Sequence, residues 1–166
     1  MATKTNQTDA IEVLTADHRK VRHLLEELAA TTERAVKKRE SLLKDLATEI
    51  EIHSRLEEEL FYPAFKEAAG TAEERKLYFE AHEEHHVADY VLAELKDTDP
   101  STEPFGARAK LLKELIEHHA DEEEKDMFPH AKKRMTRDVL IRLATEIEER
   151  RAELLTERLA MPKPIL

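Results

Sequence analysis

Histidines and glutamates recur in this chain at spacings that place them on one side of a helix. His53-x-x-x-Glu57 and His119-x-x-x-Glu123 each set an imidazole one turn from a carboxylate, and His82-x-x-x-His86 sets two imidazoles one turn apart. In a chain with 37 Asp plus Glu a single such pair is weak evidence. The first two, however, belong to an internal repeat. His53-Ser-Arg-Leu-Glu57-Glu-Glu-Leu-Phe-Tyr-Pro63 and His119-Ala-Asp-Glu-Glu123-Glu-Lys-Asp-Met-Phe-Pro129 share the His, the Glu, an apolar pair and the Pro at the same offsets. Neutral imidazole with carboxylate is the donor set of iron, manganese or zinc, so the chemistry these residues offer is metal binding. The chain has no cysteine, which excludes thiolate metal sites, disulfides and Cys nucleophiles, and leaves His and carboxylate as the only ligands.

Helices must position these side chains. Among 166 residues there are only two glycines and 5% aromatics, too little for a β-sandwich or a Gly-rich phosphate loop, and the 40% apolar content suffices for one core. Asp9 with Glu12 reads as a capping box, followed by Leu14, His18, Val21, Leu25 and Leu28 on one face. A second helix is predicted from about Lys37 to Ala69, its inner face reading Leu46, Ile50, His53, Glu57, Leu60, with a bend at Pro63. Thr71 with Glu74 opens a third, with Tyr78 or Phe79, His82, His86 and Ala93 on one side. After a Pro-containing loop a fourth carries Leu112, Leu115, His119, Glu123 and Met127. Thr136 is expected to cap a fifth helix reaching about Ala160, stopped by Pro162 and Pro164. The predicted fold is all-α: an up-and-down four-helix bundle over residues 1–135, with a C-terminal amphipathic fifth helix and tail over 136–166. His18, His53, His82, His86 and His119, with Glu57 and Glu123, all fall at core positions, and burying so many ionisable groups without compensation exceeds a small domain's stability. A metal centre supplies that compensation. His85 competes with His86, because i+3 and i+4 both follow His82; the spacing favours His86. Glu58 and Glu124 fall off the inner face, and His23, His118 and His130 read as surface residues.

With His18 in Asp-His-Arg, the His53 and Glu57 pair ahead of Leu-Phe-Tyr-Pro, His82 with His86, and His119 with Glu123 ahead of Met-Phe-Pro, the sequence resembles the hemerythrin-like, or HHE cation-binding, family from about Asp9 to Lys133. The resemblance implies two iron ions in an oxo- or hydroxo-bridged non-haem centre, with Glu57 and Glu123 bridging. It assigns His82, His86 and His119 to one iron and His18 and His53 to the other, leaving a position open for dioxygen or hydrogen peroxide. Oxygen carriers of the family space the last His and carboxylate so as to select His118 here; the internal repeat selects His119.

Three function classes follow from the resemblance: catalase-like peroxide removal, which is favoured because the acidic run Asp121 to Glu124 would bring proton-supplying water to the site; reversible oxygen binding; and iron- or oxygen-responsive sensing. The formal charge of 27 − 37 = −10 disfavours nucleic-acid partners. No segment approaches a membrane span, and the opening MATKTNQTDA lacks the apolar core of a leader, so the expectation is a cytoplasmic monomer or homodimer.

Overall fold

The computed structural model describes residues 7–160, and Pro162 and Pro164 lie outside the described residues. The chain is all-α. Helix α1 (Ala10–Ala29) starts at the expected Asp9 and Glu12 capping box. The second rod is α2 (Val36–Leu56), a widened π turn (Glu57–Phe61) and α3 (Tyr62–Ala68). Helix α4 (Ala72–Lys96) opens on the Thr71 and Glu74 box. A matching rod follows: α5 (Glu103–Glu122), a second π turn (Glu123–Met127) and α6 (Phe128–Arg134). Last comes α7 (Arg137–Ala160), where the Thr136 hydroxyl accepts from Val139 N–H at 3.4 Å.

The two prolines explain the two π turns. Pro63 and Pro129 lack the N–H that would continue an α-helix, and their rings would press on the carbonyl four residues back. In each rod the turn ahead of the proline widens instead, with Tyr62 N–H donating to the Glu57 carbonyl and Phe128 N–H to that of Glu123. The bend expected at Pro63 is therefore a widening one turn earlier, beginning at the repeated glutamate itself.

Apolar residues form two clusters along the bundle. One gathers Leu14, Leu56, Phe61, Phe65, Ala131 and Ile147; the other gathers Val21, Leu25, Ile50, Ala88, Leu95 and Leu112. The histidines sit between the two, with His18 between Leu14 and Val21, and His53 between Ile50 and Leu56. A polar layer thus has close-packed apolar material above and below it, and this packing holds it away from water.

The buried seam of α4 runs through Ala81, His85, Ala88, Leu92 and Leu95, one residue away from the Tyr78 or Phe79, His82, His86 face read from the sequence. Phe79 is exposed. Helix α7 lies along α1 and α2 and contributes Leu140, Leu143 and Ile147 to the first cluster. Its Arg150 and Arg151, which break its apolar face, reach Glu59 and Asp17 at 2.7 Å each. Among the described residues no helix is long and apolar enough to cross a membrane.

Candidate metal centre

Four elements deliver four imidazoles to one layer: His18 from α1, His53 from α2, His85 from α4 and His119 from α5, all buried. The two π turns deliver Glu57 and Glu123, also buried. Their atoms fall into two groups that share Glu57. In the first, His53 Nε2 lies 3.1 Å from Glu57 Oε1, and His18 Nε2 lies 3.1 Å from Glu123 Oε2 and 3.9 Å from Glu57 Oε1. In the second, His85 Nε2 lies 3.2 Å from Glu57 Oε2, while His119 Nε2 is 3.9 Å from the same oxygen and 3.6 Å from Glu123 Oε2. One carboxylate thus turns one oxygen to each group, and the other stands between them.

The outer nitrogen of each ring is engaged. His18 Nδ1 pairs with Glu124 at 2.8 Å, His53 Nδ1 with Asp17 at 3.2 Å, His85 Nδ1 with Glu58 at 2.8 Å and His119 Nδ1 with Glu84 at 2.7 Å. A carboxylate only accepts, so each Nδ1 carries the proton, and a neutral ring then presents an Nε2 lone pair to the centre. Lone pairs facing carboxylates at 3.1 Å, or each other at 3.1 Å as in His85 and His119, repel unless a cation lies between them. His18 Nε2, His53 Nε2, Glu57 Oε1 and Glu123 Oε2 are buried without a hydrogen-bond partner, and these four atoms make up the first group. The donor set fits a metal.

Without metal, protons supply the positive charge. Burial opposes a charge on His53, but the carboxylates of Glu57 and Asp17 overcome it and raise its pKa to about 10. His119 is likewise pushed well above its usual value against burial, by Glu123, Glu57 and Glu84, and His85 is raised by Glu57 and Glu58. Burial would raise the Glu57 pKa, yet His53, His119 and His85 hold it well below the carboxylate range.

Tyr62, the first residue beyond the first π turn, points its hydroxyl into the second group. Oη donates to Glu123 Oε1 at 2.7 Å and lies 3.3 Å from Glu57 Oε2, 3.2 Å from His85 Nε2 and 3.5 Å from His119 Nε2. Burial, then the charges of Glu123 and Glu57, pushes the phenol well above its usual pKa, so it keeps its proton. The matching position in the other rod is Phe128, whose ring stacks on His18 at 5.7 Å and 6°. Beside the four imidazoles lies a cavity of about 20 Å³, lined also by Val21, Ile50, Ser54, Ile116 and Ala120, with room for a single water-sized molecule.

Of the residues selected from sequence, His18, His53, Glu57, His119 and Glu123 come together. His86 does not: its side chain is 72% exposed beside Glu83, and His85, 3% exposed, occupies the inward position. The reason is the α4 seam, in which Ala81 and not His82 sits one turn before the inward imidazole. His82 flanks the centre, its ring edge-on to Tyr62 at 5.3 Å and Tyr78 at 4.8 Å, and burial lowers its pKa. His118 is exposed, near Glu84 and Glu122, and His130 pairs with Glu74 at 3.0 Å. Glu58 and Glu124 are not idle surface groups but partners of His85 and His18. Within the run Asp121 to Glu124, Arg22 binds both Asp121 and Glu124, and Lys125 binds Asp121. A π turn brings i and i+5 onto one side, and so Tyr62, five residues past Glu57, faces the centre with it.

The sequence matches the hemerythrin HHE cation-binding domain over residues 9–131. The chain belongs to this family. A crystal structure of a hemerythrin HHE cation-binding domain-containing protein from Mycobacterium kansasii, a homologue of Rv2633c, superposes with a TM-score of 0.79 at 29% identity, covering 92% of this chain and 90% of that one. The uncharacterized protein Rv2633c of Mycobacterium tuberculosis is 34% identical over 91 residues, 55% of this chain and 53% of its own length. A DNA nickase of Nostoc is 24% identical over 143 residues, 86% of this chain and 39% of its own length. This hemerythrin-family chain therefore spans about half the length of the mycobacterial curated relatives it matches, and less of the nickase.

Proposed function

We propose that the centre holds two iron ions, one at His18 and His53 and one at His85 and His119, bridged by Glu57 and Glu123, and that the protein removes hydrogen peroxide. The observation that carries this reading is the Tyr62 hydroxyl, a protonated group inside the site, 2.7 Å from a carboxylate oxygen of Glu123. Two redox-active ions would pass electrons between two peroxide molecules, one leaving as dioxygen and the other as two waters. The residues' part is protonic and steric. Tyr62, whose phenol keeps its proton, donates a hydrogen bond that steadies the charged Glu123 carboxylate and holds a proton beside the space between the subsites. The outer carboxylates keep each Nε2 free to act as a ligand. The apolar clusters on either side exclude bulk water.

A second reading, reversible dioxygen binding, is favoured by the small cavity, whose wall beside the imidazoles is apolar except for Ser54 and suits an apolar diatomic molecule. The nickase activity of the cyanobacterial relative is not carried over: the shared segment is 39% of that protein, and a net charge of −10 is poorly suited to phosphate contacts.

The deciding experiment is metal analysis of the aerobic protein with its optical spectrum before and after peroxide, and oxygen evolution on peroxide addition. About two irons per chain and oxygen released over many turnovers are expected. A persistent absorption band that vanishes when oxygen is removed would favour the carrier reading, and zinc or no metal would sink both.

A further inference from the structure

The carboxylates behind the four imidazoles are not equivalent. At the His18 and His53 subsite each of them also carries an arginine, on the same oxygen that holds the ring. Glu124 Oε1 accepts from His18 Nδ1 at 2.8 Å and from Arg22 Nη1 at 2.9 Å. Asp17 Oδ2 accepts from His53 Nδ1 at 3.2 Å and from Arg151 Nη2 at 2.7 Å. At the other subsite Glu58 and Glu84 hold His85 and His119 at 2.8 and 2.7 Å, and among the described residues neither has a lysine or arginine partner. The ring neighbours differ too: Phe128 stacks on His18, while the equivalent Tyr62 turns its hydroxyl to His85 and His119.

A carboxylate on the outer nitrogen strengthens an imidazole as a donor, because it stabilises the positive charge the ring acquires when its other nitrogen binds a cation. An arginine on that same oxygen takes up part of the carboxylate's charge, and its own charge repels the incoming ion. Resting on the two-ion reading above, we propose that the two subsites bind metal in order and unequally: His85 and His119 first and more tightly, His18 and His53 second, with Arg22 and Arg151 setting the difference. Arg151 lies on α7, outside the matched residues 9–131, so the fifth helix becomes part of the centre.

The test is anaerobic titration of the metal-free full chain with cobalt(II), followed by its visible absorption. Wild type should take up cobalt in two resolved steps, with the weaker step missing in His53→Ala and the tighter missing in His85→Ala. In the double variant Arg22→Gln with Arg151→Gln, the second step should tighten about tenfold, the low end of what altering such supporting groups does. Arg22→Lys with Arg151→Lys keeps both charges and should keep the wild-type gap, and circular dichroism checks that each variant is folded. Two equal steps, the reverse assignment of the single variants, or a second step unchanged or weakened in the glutamine variant would overturn the ordering. Wild type that takes up no cobalt would overturn the two-ion reading itself, and the ordering with it.

Discussion

The Tyr62 hydroxyl and the Glu123 carboxylate, from opposite rods of the bundle, meet across 2.7 Å inside a layer closed off from water. On the peroxide reading, Tyr62→Phe should keep its metal and lower peroxide turnover by about tenfold to a hundredfold, the range of a lost hydrogen bond to a metal ligand. Oxygen-electrode rates set against iron content check this. Unchanged turnover at full iron content would remove Tyr62 from the mechanism.

His85→Ala should lose much of the bound metal, whereas His86→Ala should bind as wild type does, because only the former faces inward. Elemental analysis after reconstitution separates the two, and equal losses would place the α4 seam wrongly.

Glu57→Ala and Glu123→Ala should lose most metal, since each removes a carboxylate that both subsites approach. Glu58→Ala should weaken binding by roughly 10- to 100-fold through His85. Glu83→Ala, on the exposed face, should change nothing. Metal retained at wild-type level in Glu57→Ala would contradict its bridging place.

The metal-free protein should lose stability as pH rises. His53, with a folded pKa near 10 against 6.5 when unfolded, contributes stability that is complete below 6.5 and is lost as pH climbs through about 10; His85 and His119 act in the same direction. Glu57, held below 4.5, contributes above that value and loses its share only in acid. Metal binding requires neutral rings and displaces these protons, so the rise in melting temperature on adding metal should grow from about pH 6 to about pH 9. Thermal melts with and without metal test this, and a metal-free melting temperature that rises over that interval would refute it.

The sequence made the helices legible because their signals are local. The Asp9 and Thr71 capping boxes and the repeat from His53 to Pro63 and from His119 to Pro129 each mark their place without tertiary information. Five centre residues followed from counting turns along those helices. The choice between His85 and His86 did not, because both lie within a turn of His82, and Ala81 belongs to the seam only through what α4 packs against. The outer pairs of His53 with Asp17 and His18 with Glu124 join residues 36 and 106 positions apart, and no spacing rule reaches that far. The apolar face of α7 breaks at Arg150 and Arg151, and the meaning of that break lies in Glu59 and Asp17 beside it.

In the arithmetic of insertions and deletions, each rod carries one surplus residue. Excising one of residues 58–61 would restore an ordinary α-helix in which Tyr62 stands four residues past Glu57, on the side it now takes at five, so both Tyr62 and His53 would keep their places. The same holds for Glu123–Met127 and Phe128. The widened turns absorb their extra residue locally and keep ligand and aromatic in one register, whereas a single residue inserted elsewhere along either rod, with no such turn to take it up, would swing the two apart by about 100°.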